Sequence, residues 1–155
     1  LEIRINVYKI GSYFKKGMSK LSPFYDSDIM PSPFSGHKIL VVDDDDVSYF
    51  LINEIFASYN LEMIRAYNGF EAMEYFKYER NPVDLVLMDI RMPEMNGYEA
   101  TRRIKVINPS MPVIALTAYA HTQGRIDCLN AGCDEFVSKP FDINSLLKIV
   151  EKHLS

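Results

Sequence analysis

The stretch Val83-Asp84-Leu85-Val86-Leu87-Met88-Asp89 is where the fold is decided: a mainly apolar run ends on a lone carboxylate. A strand that is apolar at consecutive positions is buried on both faces, as in a parallel sheet covered by helices. The same form stands upstream in Ile39-Leu40-Val41-Val42, followed by Asp43 and Asp44. It returns downstream in Pro112-Val113-Ile114-Ala115-Leu116, followed by Thr117. Leu61 to Ala66 reads as a weaker strand, and Glu135-Phe136-Val137 as a short fifth one that leads into Ser138 and Lys139.

Helical spacing fills the intervals. Asp45 or Asp46 can cap a helix whose apolar positions are Val47, Phe50, Leu51 and Ile55. Asn68-Gly69 turns the chain into a second helix to about Tyr78, which Asn81-Pro82 ends. Tyr98, Thr101, Ile104 and Ile107 mark a third, stopped at Asn108-Pro109. A fourth runs from near His121 to Ala131 and closes on Gly132, a natural C-cap. Ile143, Leu146, Leu147, Val150 and Leu154 give the last helix its apolar face. Five strand–helix alternations with short connections predict an α/β fold, a doubly wound parallel sheet. Such sheets gather ligands at the carboxyl ends of their strands.

The rest of the chain sets bounds. With 155 residues there is room for one domain and a tail. Residues 1–36 carry a net charge of +2 and residues 37–155 a net charge of −6, for −4 in all. Pro23, Pro31, Pro33 and neighbouring serines are linker chemistry. Ile3, Ile5 and Val7 alternate with polar residues, as in a short strand or the end of a preceding domain. Residues 1–36 are therefore an N-terminal arm, a linker or the tail of another domain, and 37–155 form the main one. Mild acidity argues against direct nucleic-acid binding. No apolar run is long enough to span a bilayer and no signal peptide opens the chain, so a cytoplasmic location is expected, with any membrane anchor in a larger parent protein. Cys128 and Cys133 lack partners at metal-ligand spacing and read as reduced thiols.

The residues at the strand ends carry the chemistry. In a parallel sheet Asp43, Asp44, Asp89, Thr117 and Lys139 lie on one edge. Three converging carboxylates repel one another unless something positive intervenes. A Mg²⁺ ion suits three such oxygen donors, Lys139 adds a second positive charge, and Thr117 adds a hydroxyl donor. A carboxylate in this setting can attack a phosphoryl group in line and form an acyl phosphate. Asp89, alone at the end of the central strand, is the best nucleophile; the Asp43/Asp44 pair is better placed for metal. The run of four aspartates is not an EF-hand, because Gly at position six and Glu at position twelve are missing in any frame.

Val41-Val42-Asp43-Asp44, Met88-Asp89-Ile90-Arg91-Met92-Pro93 with Gly97, Leu116-Thr117-Ala118 and Ser138-Lys139-Pro140-Phe141 together resemble the response-regulator receiver family. The resemblance covers residues 38–154, with every motif in order. It implies a flavodoxin-like five-stranded sheet of order 2-1-3-4-5 with five helices. It implies phosphorylation on Asp89 and Mg²⁺ held by Asp44 directly, by Asp43 mainly through water, by Asp89 and by the backbone carbonyl of Arg91. Thr117 and Lys139 would contact the phosphoryl oxygens, the Lys139-Pro140 bond would be cis, and Phe136 would be the switch aromatic that moves with Thr117. The donor would be a histidine kinase or a histidine phosphotransfer domain. A homodimer through the face of the fourth helix, fifth strand and fifth helix is compatible with the family.

Three rival readings are weighed against a phosphorylatable switch. An aspartate-dependent Mg²⁺ phosphatase needs an acid two residues after its nucleophile, where this chain has Arg91. A binding-only pseudo-receiver would lack some of the charged positions, all of which are present. The third is a stand-alone regulator with an N-terminal arm; the start at Leu1, the linker and the absence of a following domain favour instead the C-terminal receiver of a hybrid histidine kinase. The domain is then a phospho-accepting switch, not a turnover enzyme, though its parent would be a kinase.

Overall fold

The computed structural model describes residues 32–78, 83–118 and 122–155. The strand expected at residues 3–8, the linker prolines Pro23 and Pro31, Asn81-Pro82 and His121 lie outside them. Strands are β1 (Lys38–Val42), β2 (Glu62–Ala66), β3 (Leu85–Asp89), β4 (Val113–Thr117) and β5 (Glu135–Ser138). Helices are α1 (Asp46–Phe56), α2 (Gly69–Tyr78), α3 (Gly97–Ile107), α4 (Thr122–Ala131) and α5 (Ile143–Leu154). All neighbouring strands pair in parallel in the order β2-β1-β3-β4-β5, so the order reverses between β1 and β3.

The continuous apolar runs follow from burial on two faces. Leu40, Val42, Val86, Met88, Val113 and Ala115 point to one side, against Ala72, Ala100, Ile104 and Cys128. Their alternates Ile39, Val41, Leu85, Leu87, Ile114 and Leu116 point to the other, against Ile52, Ile55, Phe56, Leu146 and Val150. A period of two, apolar on both phases, is what a strand sandwiched between helix layers requires. Phe34, three residues ahead of His37, is buried too, with its ring edge-on to Phe56 and Tyr59.

Helix starts carry the chemistry of exposed N–H groups. Of the two aspartates able to cap α1, Asp45 does so, accepting from the Ser48 N–H at 2.8 Å. Asn68 accepts from the Glu71 N–H while the Glu71 carboxylate accepts from the Tyr67 N–H, a reciprocal lock on α2. Asn96 caps α3 and Asp142 caps α5. β3 begins at Leu85, two residues later than the apolar run predicts. Asp84 is spent on Lys38, accepting from its N–H through the carboxylate and donating its own N–H to the Lys38 carbonyl, both at 2.8 Å. Cys128 and Cys133 are both buried and are not joined by a disulfide. Among the described residues no helix is long and apolar enough to cross a membrane.

Gly97, at the start of α3, packs against the end of β3. A Cβ there would stand 2.8 Å from the Ile90 Cα and closer still to the Asp89 carbonyl oxygen, both backbone atoms that cannot step aside. Gly97→Ala is expected to destabilise the domain by about 2 kcal/mol or more, read as a lower urea midpoint with an unchanged slope.

Candidate phosphoryl-acceptor site

Parallel pairing brings the strand ends to one edge of the sheet. Thr117 is in register with Ser138, and Asp89 with Leu116. Backbone bonds then tie the loops beyond the strands: Ile90 N–H to the Leu116 carbonyl at 3.1 Å, Lys139 N–H to the Thr117 carbonyl at 2.7 Å, and Asp43 N–H to the Ala66 carbonyl at 3.1 Å. The Lys139-Pro140 peptide bond is cis.

The acidic residues predicted to meet do meet. One carboxylate oxygen from each of Asp43, Asp44 and Asp89 lies within 4.8 Å of the others. Asp43 and Asp89 are buried and Asp44 is exposed. The Lys139 ammonium donates to both buried aspartates, at 2.9 Å to Asp43 and 3.0 Å to Asp89. Thr117, buried at the end of β4, lines a cleft of about 550 Å³ with Ile90, Arg91, Met92 and Tyr98. Phe136 is half-buried, and the Arg125 guanidinium of α4 lies 4.9 Å from the centre of its ring.

Electrostatics at this edge are unbalanced. Burial raises the Asp89 carboxyl above its ordinary value; Lys139 works against that, while Asp43 and Asp44 add to it. For Lys139, burial would lower the ammonium, but the hydrogen bond to Asp43 and the charge of Asp89 outweigh it and the net direction is up. Three carboxylates thus meet beside one lysine, which pairs with two of them. The donors are all hard oxygens, a set that fits Mg²⁺ and leaves coordination positions for water and a phosphoryl oxygen.

Two residues at the site were missed by the reading of strand ends. The Ser48 hydroxyl, in the first turn of α1, donates to Asp43 at 2.6 Å. Asp43 therefore has both oxygens engaged, since its other one accepts from the Asp45 N–H at 2.9 Å. Arg65, the penultimate residue of β2, pairs with Asp46 at 2.7 Å and donates to the Asp43 carbonyl at 3.3 Å. The strand-end rule does not reach Arg65, which lies inside β2; the residue after that strand is Tyr67. Asp45 and Asp46, given no metal role from the sequence, are a helix cap and the partner of Arg65 respectively.

A raised carboxyl binds its proton more readily in the folded than in the unfolded chain. Ionising Asp89 as pH rises through its folded value therefore costs stability, and that cost is absent below the unfolded value of 3.8. In EDTA at pH 7, Asp89→Asn is expected to raise Tm. The gain should fade as pH is lowered to 3.8; a gain independent of pH would refute a charge origin.

Comparison with known proteins agrees with this geometry. Residues 39–151 match the family described as response regulator receiver domain. Chemotaxis protein CheY of Bacillus subtilis (strain 168) is 37% identical over 120 residues, 77% of this chain and 98% of that protein. Regulatory protein AtoC of Escherichia coli (strain K12) is 39% identical over 118 residues, 76% of this chain; the chain spans only 25% of AtoC. Among solved structures, the receiver domain of sensor histidine kinase PA1611 from Pseudomonas aeruginosa PAO1 superposes with a TM-score of 0.70 at 33% identity. That match covers 77% of this chain and 98% of the other, which has a magnesium ion coordinated in its active site cleft. The shared strand order, the match through all five strands and a near full-length relative leave one assignment: the chain belongs to the response regulator receiver domain family of two-component signalling.

Proposed function

We propose that this domain accepts a phosphoryl group from a phosphohistidine on a histidine kinase or histidine phosphotransfer domain, onto Asp89 and with Mg²⁺. The observation that carries the reading is the meeting of Asp43, Asp44 and Asp89 within 4.8 Å around the Lys139 ammonium. Asp89 supplies the attacking oxygen; its new bond to phosphorus forms as the phosphorus–nitrogen bond of the donor breaks. Lys139, already bonded to Asp89, is within reach of the incoming phosphoryl oxygens and offsets their charge. Thr117 supplies a hydroxyl at the adjacent strand end. Asp44, Asp89, the Arg91 carbonyl and, through water, Asp43 would hold the metal, which would neutralise oxygen charge in the transferring group. The full engagement of Asp43 by Lys139, Ser48 and the Asp45 N–H supports the exposed Asp44 as the direct ligand of the pair.

Phosphorylation would add nearly two negative charges beside Thr117 and Lys139. Both side chains sit at the ends of β4 and β5, so the loops beyond those strands follow them. Phe136, in register with Ala115 of β4, is the relay, and the surface of α4, β5 and α5 is the readout. We place the domain in a hybrid histidine kinase, a reading supported by the match to the receiver domain of a sensor histidine kinase.

Acetyl phosphate with MgCl₂ is expected to give a phosphoryl adduct visible by intact mass, on the wild type and not on Asp89→Asn. Lys139→Ala should slow its formation by on the order of a hundredfold while leaving Asp89 as the labelled residue. Labelling that survives Asp89→Asn would overturn the assignment.

A further inference from the structure

β2 ends next to the metal-binding loop, and its penultimate residue is a cation. Arg65 shares its face of the sheet with Met63, towards α1. Its guanidinium lies over two aromatic rings, 4.5 Å from the centre of Tyr49 on α1 and 4.0 Å from that of Tyr67 beyond β2. One terminal nitrogen pairs with Asp46 at 2.7 Å; the other donates to the Asp43 carbonyl at 3.3 Å. Only 13% of the side chain is exposed, and Nε is buried with no hydrogen-bond partner among the described residues. An apolar residue would fill this space without stranding a donor.

We propose that Arg65 is a positioning residue for the Mg²⁺ site, holding the peptide unit that carries Asp44 in its binding orientation. Asp43 is pinned on both sides by β2: its N–H donates to the Ala66 carbonyl at 3.1 Å, and its carbonyl accepts from Arg65. A peptide unit is planar, so fixing the Asp43 carbonyl fixes the plane from which the Asp44 backbone rises. The same guanidinium holds Asp46, keeping a fourth carboxylate of the Asp43–Asp46 run away from the metal-binding side of the loop. The two rings restrict where the fork can sit, a constraint that a point-like ammonium on a flexible stem could not exploit.

This inference rests on the Mg²⁺ reading above, and it makes a prediction of unusual sign. A cation near a cation site lowers metal affinity by charge alone, so its removal should tighten Mg²⁺ binding. Positioning predicts the reverse. Calorimetric titration of the 155-residue chain with MgCl₂ separates the two. Arg65→Gln is expected to weaken Mg²⁺ binding about tenfold, and Arg65→Lys, which keeps the charge but not the fork, should not restore it. Circular dichroism melts in EDTA check that the metal-free fold is intact, and Arg65→Lys carries the test if the Gln variant does not fold. Unchanged or tighter binding in Arg65→Gln, or full recovery in Arg65→Lys, would overturn the proposal. A wild type that binds no Mg²⁺ would overturn the reading beneath it as well.

Discussion

The Lys139 ammonium, shared between Asp43 and Asp89, is the interaction on which this edge of the molecule depends. Parallel strands have a built-in consequence: whatever follows each of them arrives at the same side of the sheet. Here β1 and β3 deliver carboxylates, two of them buried. Taking such charges out of water is costly unless they are paired. β5 lies two strands away from β3, yet Lys139 reaches across, because its N–H is bonded to the Thr117 carbonyl at the end of β4. The lysine is thus the reason that aspartates from the first and third strands can coexist at the point where strand order reverses.

That pairing is incomplete by design of the fold. The Lys139 ammonium pairs with two of the three carboxylates, and the Asp89 carboxyl remains raised despite its bond to Lys139. A site left with surplus negative charge and hard oxygen donors attracts a divalent cation; the same surplus would repel a phosphoryl group were no such cation bound. Charge deficit and the proposed metal binding have one origin. The stability cost at Asp89 and the proposed reactivity there have the same origin, burial beside like charges.

Much of this was legible in the sequence because two kinds of information coincide in a parallel α/β domain. Apolar runs mark the strands, and the first polar residues after them mark the site; Asp43, Asp44, Asp89, Thr117 and Lys139 are all found that way. The parts that were not legible have a common cause. Ser48 and Arg65 reach the site sideways, from inside a helix and from an edge strand, so their proximity to Asp43 depends on register and crossover geometry that no local pattern encodes. β3 begins late because Asp84 makes a tertiary bond to Lys38, 46 residues away. Phe34 belongs to the core because its ring completes an aromatic cluster with Phe56 and Tyr59, a matter of packing rather than of period.

The run Asp43-Asp44-Asp45-Asp46 shows the limit most sharply. Four identical side chains in succession carry no internal signal that tells them apart, yet their surroundings divide four tasks among them. Asp43 is buried and takes bonds from Lys139, Ser48 and the Asp45 N–H. Asp44 is exposed, with an oxygen turned towards the shared site. Asp45 has the extended backbone of an N-cap and binds the Ser48 N–H. Asp46 is held by Arg65. The divergence begins at one residue, since the chain leaves β1 at Val42 and enters α1 at Asp46, and the turn between them points successive carboxylates in different directions. What each aspartate can do is then fixed by what the neighbouring elements place opposite it: a lysine from beyond β5, a hydroxyl from α1, an arginine from β2. Function in this loop is a property of the sheet that surrounds it, and the four residues contribute little more than the requirement that each negative charge find a use.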